Sequence, residues 1–309
     1  MKKSRFSTPV LFIIFNRPDT TKKVLEKIRE IKPTRLFVVA DGPRDNIEQD
    51  KYNVSQTRKL IDGIDWNCEV TKNYSEINLG CRNRVSSGIN WFFEKVDMGI
   101  ILEDDCLPNN SFFYFCEELL LKYKDQSNVM MISGNNFQDG NIRGDYSYYF
   151  SKYAHIWGWA TWKRAWDRYD VNMESLNDFI NNNGLRMISN SKHVQQYWLD
   201  YFRMTRDGQI DTWDYQWTYA IFRSAGLCVA PNVNLVSNIG FNNNATHTKS
   251  ANNKYANMKT QEILNVNYPS YVEVDRFADN YEEKNMMNKP SVISKTKAII
   301  KMVLVCMKN

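Results

Sequence analysis

Three consecutive carboxylates, Glu103-Asp104-Asp105, follow the apolar run Met98-Gly-Ile-Ile-Leu102 and precede Pro108 and a helical stretch over 111–124. An isolated acidic triplet reads as a solvated turn at a helix N-terminus, where carboxylates are favoured in any case. Its place at the end of a strand opens a second reading. Strand alternation points Glu103 and Asp105 to one side and Asp104 to the other, so the triplet can hold a ligand between its arms. Hard divalent cations take oxygen ligands, and one or two carboxylates plus phosphate oxygens is the usual arrangement for Mg2+ or Mn2+. A phosphate-bearing ligand on this rim needs such a metal, since bare carboxylates repel phosphate.

A second acidic position lies in Asp211-Thr-Trp-Asp-Tyr-Gln-Trp217, which opens an amphipathic helix carrying Trp217, Ile221 and Phe222 on one side. Asp211 reads as the N-cap of that helix, and Asp214 falls on its first turn, where the helix dipole favours the ionised form. Other chemistry is thinly supplied. Three histidines make a His-rich zinc site a poor expectation. The six cysteines (Cys68, Cys81, Cys106, Cys116, Cys228, Cys306) form no Cys-x-x-Cys pair and read as reduced thiols of a cytosolic protein.

These residues need a frame, and the first hundred positions provide one. Pro9–Phe15 is a continuous apolar run, as expected of a strand covered on both faces. Asn-Arg-Pro-Asp-Thr follows, with Asp19 or Thr20 as the cap of a helix bearing Val24, Leu25, Ile28 and Ile31. A second strand, Arg35–Ala40, breaks at Asp41-Gly-Pro43; a polar helix over 47–62 leads to a third strand near Cys68–Lys72. After Asn78-Leu-Gly80, a helix with Val85, Ile89, Phe92, Phe93 and Val96 runs into the strand that ends at the triplet. The order β-α-β-α-β-α-β implies right-handed crossovers and an α/β fold of the Rossmann type, a mostly parallel sheet flanked by helices. Ligands bind such sheets beyond the carboxyl ends of the strands. Asn16-Arg17, Asp41-Gly42, the 78–84 segment and the triplet should therefore share one rim. No Gly-x-Gly-x-x-Gly follows the first strand, which disfavours a dinucleotide cofactor.

The strand-end Glu-Asp-Asp resembles the Asp-x-Asp motif of GT-A glycosyltransferases, particularly inverting N-acetylglucosaminyltransferases of the type-I family. Pro-Val-Leu-Phe-Ile-Ile-Phe-Asn-Arg17 is similar to their first strand and Val-Val-Ala-Asp-Gly42 to their second. Asn78-Leu-Gly-Cys-Arg-Asn-Arg84 resembles the Asn-x-Gly-x-x-x-Arg-Asn stretch of family-2 glycosyltransferases, with the last pair reversed in order, so that either Arg82 or Arg84 carries the role. The resemblance implies a GT-A-like fold with an acceptor-side subregion. It places Asp41 at the nucleobase, Arg17 and Arg82 near base or diphosphate, Asp104 near the ribose and Asp105 on the metal, with Glu103 facing the sugars. It also matches Trp213-Asp214-Tyr-Gln-Trp217 to a Trp-Asp-x-x-Trp context that holds the general base, which makes Asp214 the group that takes the acceptor hydroxyl's proton.

His155-Ile-Trp-Gly-Trp-Ala-Thr-Trp-Lys-Arg-Ala-Trp166 packs four tryptophans into ten residues. Trp159, Trp162 and Trp166 fall at i, i+3 and i+7, one helix face and a core-like stripe. Gly158-Trp159 stands out, because the resembling transferases carry a Gly-Trp at the floor of the sugar site and glycine permits close backbone approach. Further on, 231–248 reads as a strand dissolving into an Asn/Thr-rich loop that can fold over a donor and exclude water. Ser237 and Asn238 are candidates for diphosphate contact there, and His247 for the metal.

With 309 residues, 43% hydrophobic and 24% charged, the chain excludes disorder, collagen and disulfide miniproteins, and it has room for one or two domains. We divide it into a nucleotide-sugar-binding half (1–106), an acceptor and catalytic half (107–260), and a C-terminal extension (261–309). Net charge is +5, but residues 1–35 hold ten basic and three acidic side chains, and residues 284–309 six basic and none acidic. The body between is acidic, which argues against nucleic acid as a partner. After Pro290, Ile293, Thr296, Ile299, Ile300, Val303, Leu304 and Met307 follow helical spacing among lysines. That basic amphipathic helix suits an anionic inner leaflet, and packing on the body or on a sister subunit is the alternative. No apolar run spans a membrane and no signal peptide precedes the first strand, so a cytoplasmic enzyme, peripheral at most, is expected. The reading that follows is a metal-dependent inverting glycosyltransferase, moving a sugar from a nucleotide-diphosphate donor, UDP-sugar foremost, to a glycan or glycolipid of a bacterial surface polysaccharide. Two rivals are a sugar nucleotidyltransferase on a similar sheet and a non-catalytic carbohydrate-binding protein.

Overall fold

The structure is a computed structural model that describes residues 6–241 and 254–287. β1 (Val10–Ile14), α1 (Pro18–Ile31), β2 (Arg35–Ala40), α2 (Glu48–Asp62), β3 (Glu69–Tyr74), α3 (Gly80–Phe93) and β4 (Met98–Glu103) form the alternating first half. They are followed by β5 (Cys106–Pro108), α4 (Asn110–Lys122), β6 (Val129–Ser133), β7 (Tyr148–Ser151), β8 (Trp159–Trp162) and the short α5 (Lys163–Trp166). A helical region then comprises α6 (Leu176–Asn181), α7 (Gly184–Ile188), α8 (Lys192–Arg206) and α9 (Asp214–Arg223). β9 (Leu227–Pro231), β10 (Val236–Asn238) and α10 (Arg276–Met286) complete the chain.

Eight strands make one sheet in the order β3-β2-β1-β4-β8-β6-β9-β7. β1 pairs in parallel with both β2 and β4, and β6 with β9; β8 and β7 run antiparallel to their neighbours. The mostly parallel sheet flanked by helices is the Rossmann-type α/β architecture expected from the order of elements. β1 shows how the sequence dictates it. Side chains alternate across a strand, and Val10, Phe12 and Ile14 enter one core while Leu11 and Ile13 enter the other. The first core takes Val24 and Ile28 of α1 and Phe112 and Phe115 of α4; the second takes Ile89 and Phe92 of α3 and Trp217 and Ile221 of α9. A third cluster joins α6, α8 and α9 through Leu176, Trp198, Phe202 and Phe222.

Two local expectations change. The tryptophan run is a strand and then a turn of helix, so Trp159 and Trp162 enter opposite cores instead of sharing a helix face. All three stripe tryptophans are nonetheless buried. Helix α1 begins two residues earlier than an Asp19 cap allows: Arg17 is its N-cap and Pro18 opens it, with the Thr21 hydroxyl donating to the Arg17 carbonyl. Proline suits that position because it lacks an N–H that would be left unpaired there. The expected division between 106 and 107 falls inside β5, which pairs with β10 at the far end of the chain. The amphipathic pattern after Pro290, like His247 and Cys306, lies outside the described residues. Cys81, Cys106, Cys116 and Cys228 are free thiols, and no helix among the described residues is long and apolar enough to cross a membrane.

Candidate active site

Because β1 and β4 are adjacent and parallel, their carboxyl ends bring Phe15–Arg17 beside Glu103–Asp105. The Phe15 N–H donates to Asp104 Oδ2 at 3.0 Å. Arg17 Nη1 lies 2.6 Å from Asp105 Oδ2 and 3.3 Å from Asp104 Oδ1. Asp105 and Asp104 line different cavities, as their alternation implied, yet both meet one guanidinium. β4 ends at Glu103, and the turn that follows lets one guanidinium reach both aspartates. Burial, and then repulsion from Asp105 and Asp104, pushes the Glu103 carboxyl up to about 8. Burial likewise lifts Asp104 to about 6, against the pull of Arg17. Asp104 foremost holds the Arg17 guanidinium firmly charged.

Asp105 is also fixed from behind. Its carbonyl accepts the Ile239 N–H at 2.8 Å, and a Cβ on Gly240 would overlap its carboxylate. The β5–β10 ladder, with Cys106 opposite Asn238, thus locks the metal-candidate carboxylate in place.

Two cavities meet at this rim. One, of about 420 Å³, is walled by Arg17, Glu103, Asp105, Trp157, Asp214 and Asn238 among others. The second, of about 170 Å³, lies over the ends of β1 and β2 and is walled by Phe15, Asp41, Arg44, Arg84 and Asp104. Arg17, Cys81 and Glu103 line both. A roomier cavity of about 620 Å³ between α7, the start of α8 and α10 lies away from these residues; the constellation of carboxylates, not size, marks the site.

Asp214 opens α9, as its first-turn position implied. Its Oδ1 accepts from the Thr212 hydroxyl and the Tyr215 N–H, and among the described residues Oδ2 takes no hydrogen bond. The side chain is thereby oriented while one oxygen stays available in the cavity. Asp211 does something different from what its spacing suggested. It does not cap α9, whose N-cap is Trp213; it accepts the N–H groups of Cys81 and Arg82, both at 3.1 Å, and so caps α3 from across the chain. The carboxylate binds the start of one helix to the approach of the other.

The nucleotide-side candidates have protein partners of their own. Asp41 accepts from the N–H groups of Gly42, Leu79 and Gly80 and from the Asn78 amide, so it anchors the 78–80 turn while lining the smaller cavity. Burial raises its pKa, with those N–H groups opposing. The Arg84 guanidinium is buried on that cavity's wall and donates to the carbonyls of Ala40 and Asn73, tying β2 to β3. Arg82 points elsewhere, toward the carbonyls of Thr205 and Val171, and lines neither cavity. The two arginines of the 78–84 segment thus diverge, and only Arg84 faces the rim.

Gly158 has φ +71°, the left-handed region open to glycine, and a Cβ there would press on Val236 and Leu102. Its partner Trp159 is fully buried, stacked on Trp213 at 5.5 Å, and it is Trp213 and Trp157 that reach the cavity. β10 alternation sends Asn238 into the cavity and Ser237 to another depression beside Lys27 and Asn109, so the expected pair is divided. Sequence reasoning missed Trp157, Tyr201 and Tyr215 on the larger cavity and Arg44 on the smaller. Tyr197 and Tyr201 bore a usable signal in their i, i+4 spacing and Tyr215 in adjoining Asp214; Trp157 bore one in being two residues from Trp159.

Among the described residues no group of three or more His, Cys, Asp or Glu side chains is disposed to chelate a metal. The donor set still fits a hard divalent cation held in the mode of one carboxylate plus ligand phosphates, with Asp105 open to the cavity.

No protein-family model matches the chain, and no curated protein matches it in sequence. Solved structures that resemble it include mouse xyloside xylosyltransferase 1 in its apo form, at 10% identity and a TM-score of 0.32, covering 70% of this chain and 81% of that one. A 4-diphosphocytidyl-2C-methyl-D-erythritol synthase from Anaerococcus prevotii matches at 9% identity and 0.32, over 56% of this chain and 84% of that one. HddC from Yersinia pseudotuberculosis matches at 11% and 0.28, over 40% of this chain and 56% of that one, so the chain spans little more than half of HddC's length. Likenesses of this extent carry no inference about activity.

Proposed function

We propose that the protein is a metal-dependent inverting glycosyltransferase that uses a nucleoside-diphosphate sugar, UDP-sugar foremost, and a glycan or glycolipid acceptor. The observation that carries this reading is that Asp214 shares one 420 Å³ cavity with Arg17, Glu103 and Asp105. An oriented carboxylate with a spare oxygen thus faces a charged rim suited to a diphosphate.

In this reading the base lies in the 170 Å³ cavity by Phe15 and Arg44, and the diphosphate crosses at Arg17 into the larger one. Asp105, with diphosphate oxygens, would hold Mn2+ or Mg2+, which when bound offsets the charge of the leaving diphosphate. Asp214 takes the proton of the acceptor hydroxyl as that oxygen attacks the anomeric carbon. The sugar–phosphate bond breaks on the opposite face, and the anomeric configuration inverts. Asn238 borders the sugar; Gly158 lines neither cavity and packs behind the site against Val236 and Leu102. The basic C-terminal residues, and His247 as a further metal contact, belong to the same proposal, with work at the cytoplasmic face of a membrane as its setting. Thermal-shift screening of nucleotide sugars with and without Mn2+ tests it: stabilisation by at least one, enhanced by the metal, is expected. No response to any nucleotide sugar counts against it.

A further inference from the structure

The larger cavity has a wall that donor binding leaves unused. Tyr201, near the end of α8, stacks on Tyr215 of α9 with ring centres 4.8 Å apart and planes 18° from parallel. Tyr197, one turn back on α8, lies 4.7 Å from Tyr201. Burial foremost keeps the Tyr197 and Tyr215 phenols protonated. Trp157 faces the same cavity, braced edge-on by Phe137 and Phe241, with Ile156 and Ile210 beside it. Asp214 stands between this wall and the acidic triplet: its charge is felt by Tyr197 and Tyr215 on one side and by Glu103 on the other.

The charge on the wall narrows what fits. Among the described residues lining the cavity the one cation is Arg17, and it is paired with Asp104 and Asp105. The carboxyl groups on its wall are those of Glu103, Asp105 and Asp214. A phosphate or carboxylate brought to the aromatic wall would meet repulsion with nothing to offset it. A pyranose is neutral and presents a face of C–H bonds. That face buries apolar area against aromatic rings and meets the negative face of their π-systems, while tyrosine and Asp214 oxygens meet its hydroxyls. We propose that Trp157, Tyr201 and Tyr215 form the acceptor subsite, and that its occupant is a neutral sugar residue whose own hydroxyl is the nucleophile, not a lipid phosphate. The proposal rests on the transferase reading and specifies its acceptor.

The test uses the full chain and two independent readouts. Saturation-transfer NMR is recorded with the methyl glycosides of glucose, galactose, N-acetylglucosamine and N-acetylgalactosamine, and with farnesyl phosphate as the lipid-phosphate probe. At least one glycoside should show saturation of its ring C–H protons. That signal should fall at least fivefold in Tyr201→Ala and in Trp157→Ala, and it should persist in Tyr201→Phe, which keeps the ring. Circular dichroism melting shows whether each variant is folded, and Trp157→Ala carries the comparison if Tyr201→Ala is not. Absence of glycoside saturation, saturation indifferent to Trp157 and Tyr201, or binding of farnesyl phosphate in place of the sugars overturns the proposal. UDP with Mn2+, followed by thermal shift on the same samples, reports on the donor half alone. A nucleotide response without glycoside binding sinks the subsite and spares the transferase; glycoside binding without any nucleotide response does the reverse.

Discussion

Arg17 Nη1 lies 2.6 Å from Asp105 Oδ2, so the turn after β1 supplies the counter-charge for the turn after β4. Both groups face the cavity that Asp214 lines. A divalent cation on Asp105 and a diphosphate beside Arg17 would each relieve what the other leaves, which makes nucleotide and metal binding interdependent. In calorimetry, Mn2+ should tighten UDP binding at least tenfold, about 1.4 kcal/mol, and Asp105→Asn should remove that enhancement. A variant that kept the full metal effect would move the metal elsewhere.

Gly240 offers a subtler perturbation of the same carboxylate. A methyl group there would occupy the space of the Asp105 side chain, so Gly240→Ala must displace it without altering any charge. UDP binding in the presence of Mn2+ should weaken roughly tenfold, about 1.4 kcal/mol. Unchanged affinity would show that the position of Asp105 is not critical.

Asp211 is a structural carboxylate on the cap of α3. Its replacement by Ala should cost about 0.5–2 kcal/mol, the usual range for a lost N-cap, read from urea unfolding. Because α3 begins beside Asp41 and Arg84, fraying there should also raise the Kd for UDP. No change in stability would mean that water serves α3 equally well.

Buried Asp279 gives a pH signature away from the site. Burial foremost raises it to about 7 from the ordinary 3.8, with Ser151 and Lys152 pulling it down and Glu282 up. The folded chain therefore keeps a proton that the unfolded chain has lost, and this carboxyl makes stability fall as pH rises from about 4 to about 7. Asp279→Asn escapes that loss. Its advantage over the parent in chemical denaturation should grow across this window, by on the order of 2 kcal/mol. A difference that is constant with pH would place the carboxyl's titration elsewhere.

Much of the frame was legible because β1 and β4 are apolar runs that can only be buried on both faces, and their carboxyl ends then had to converge. The triplet and Arg17 were readable for the same reason, whereas Asp214 was read from its place on the first turn of a helix and from the Trp-Asp-x-x-Trp resemblance. What escaped was decided by contacts distant in sequence. Asp211 looks like a local cap until α3, 130 residues away, is placed beside it. Arg82 and Arg84 are two residues apart, and only the helix's rotation tells that one meets the ends of β2 and β3 and the other meets Val171 and Thr205. The tryptophan run fits a helical stripe as well as a strand, and pairing of β8 with β4 and β6 decides for the strand. The tyrosine wall arises where α8 packs on α9, which no single segment announces.

The central claim is transfer of a sugar with Asp214 as base, and phosphorus NMR of donor turnover tests it most directly. The full chain is incubated with UDP-sugars, Mn2+ and a neutral hexoside, beside the Asp214→Asn variant. The account predicts UDP as the phosphorus product, released at least 100-fold more slowly by the variant while its affinity for UDP is retained. Conversion of the donor to UTP and sugar 1-phosphate when pyrophosphate is added, with no UDP formed, or equal turnover by the two proteins, would contradict it.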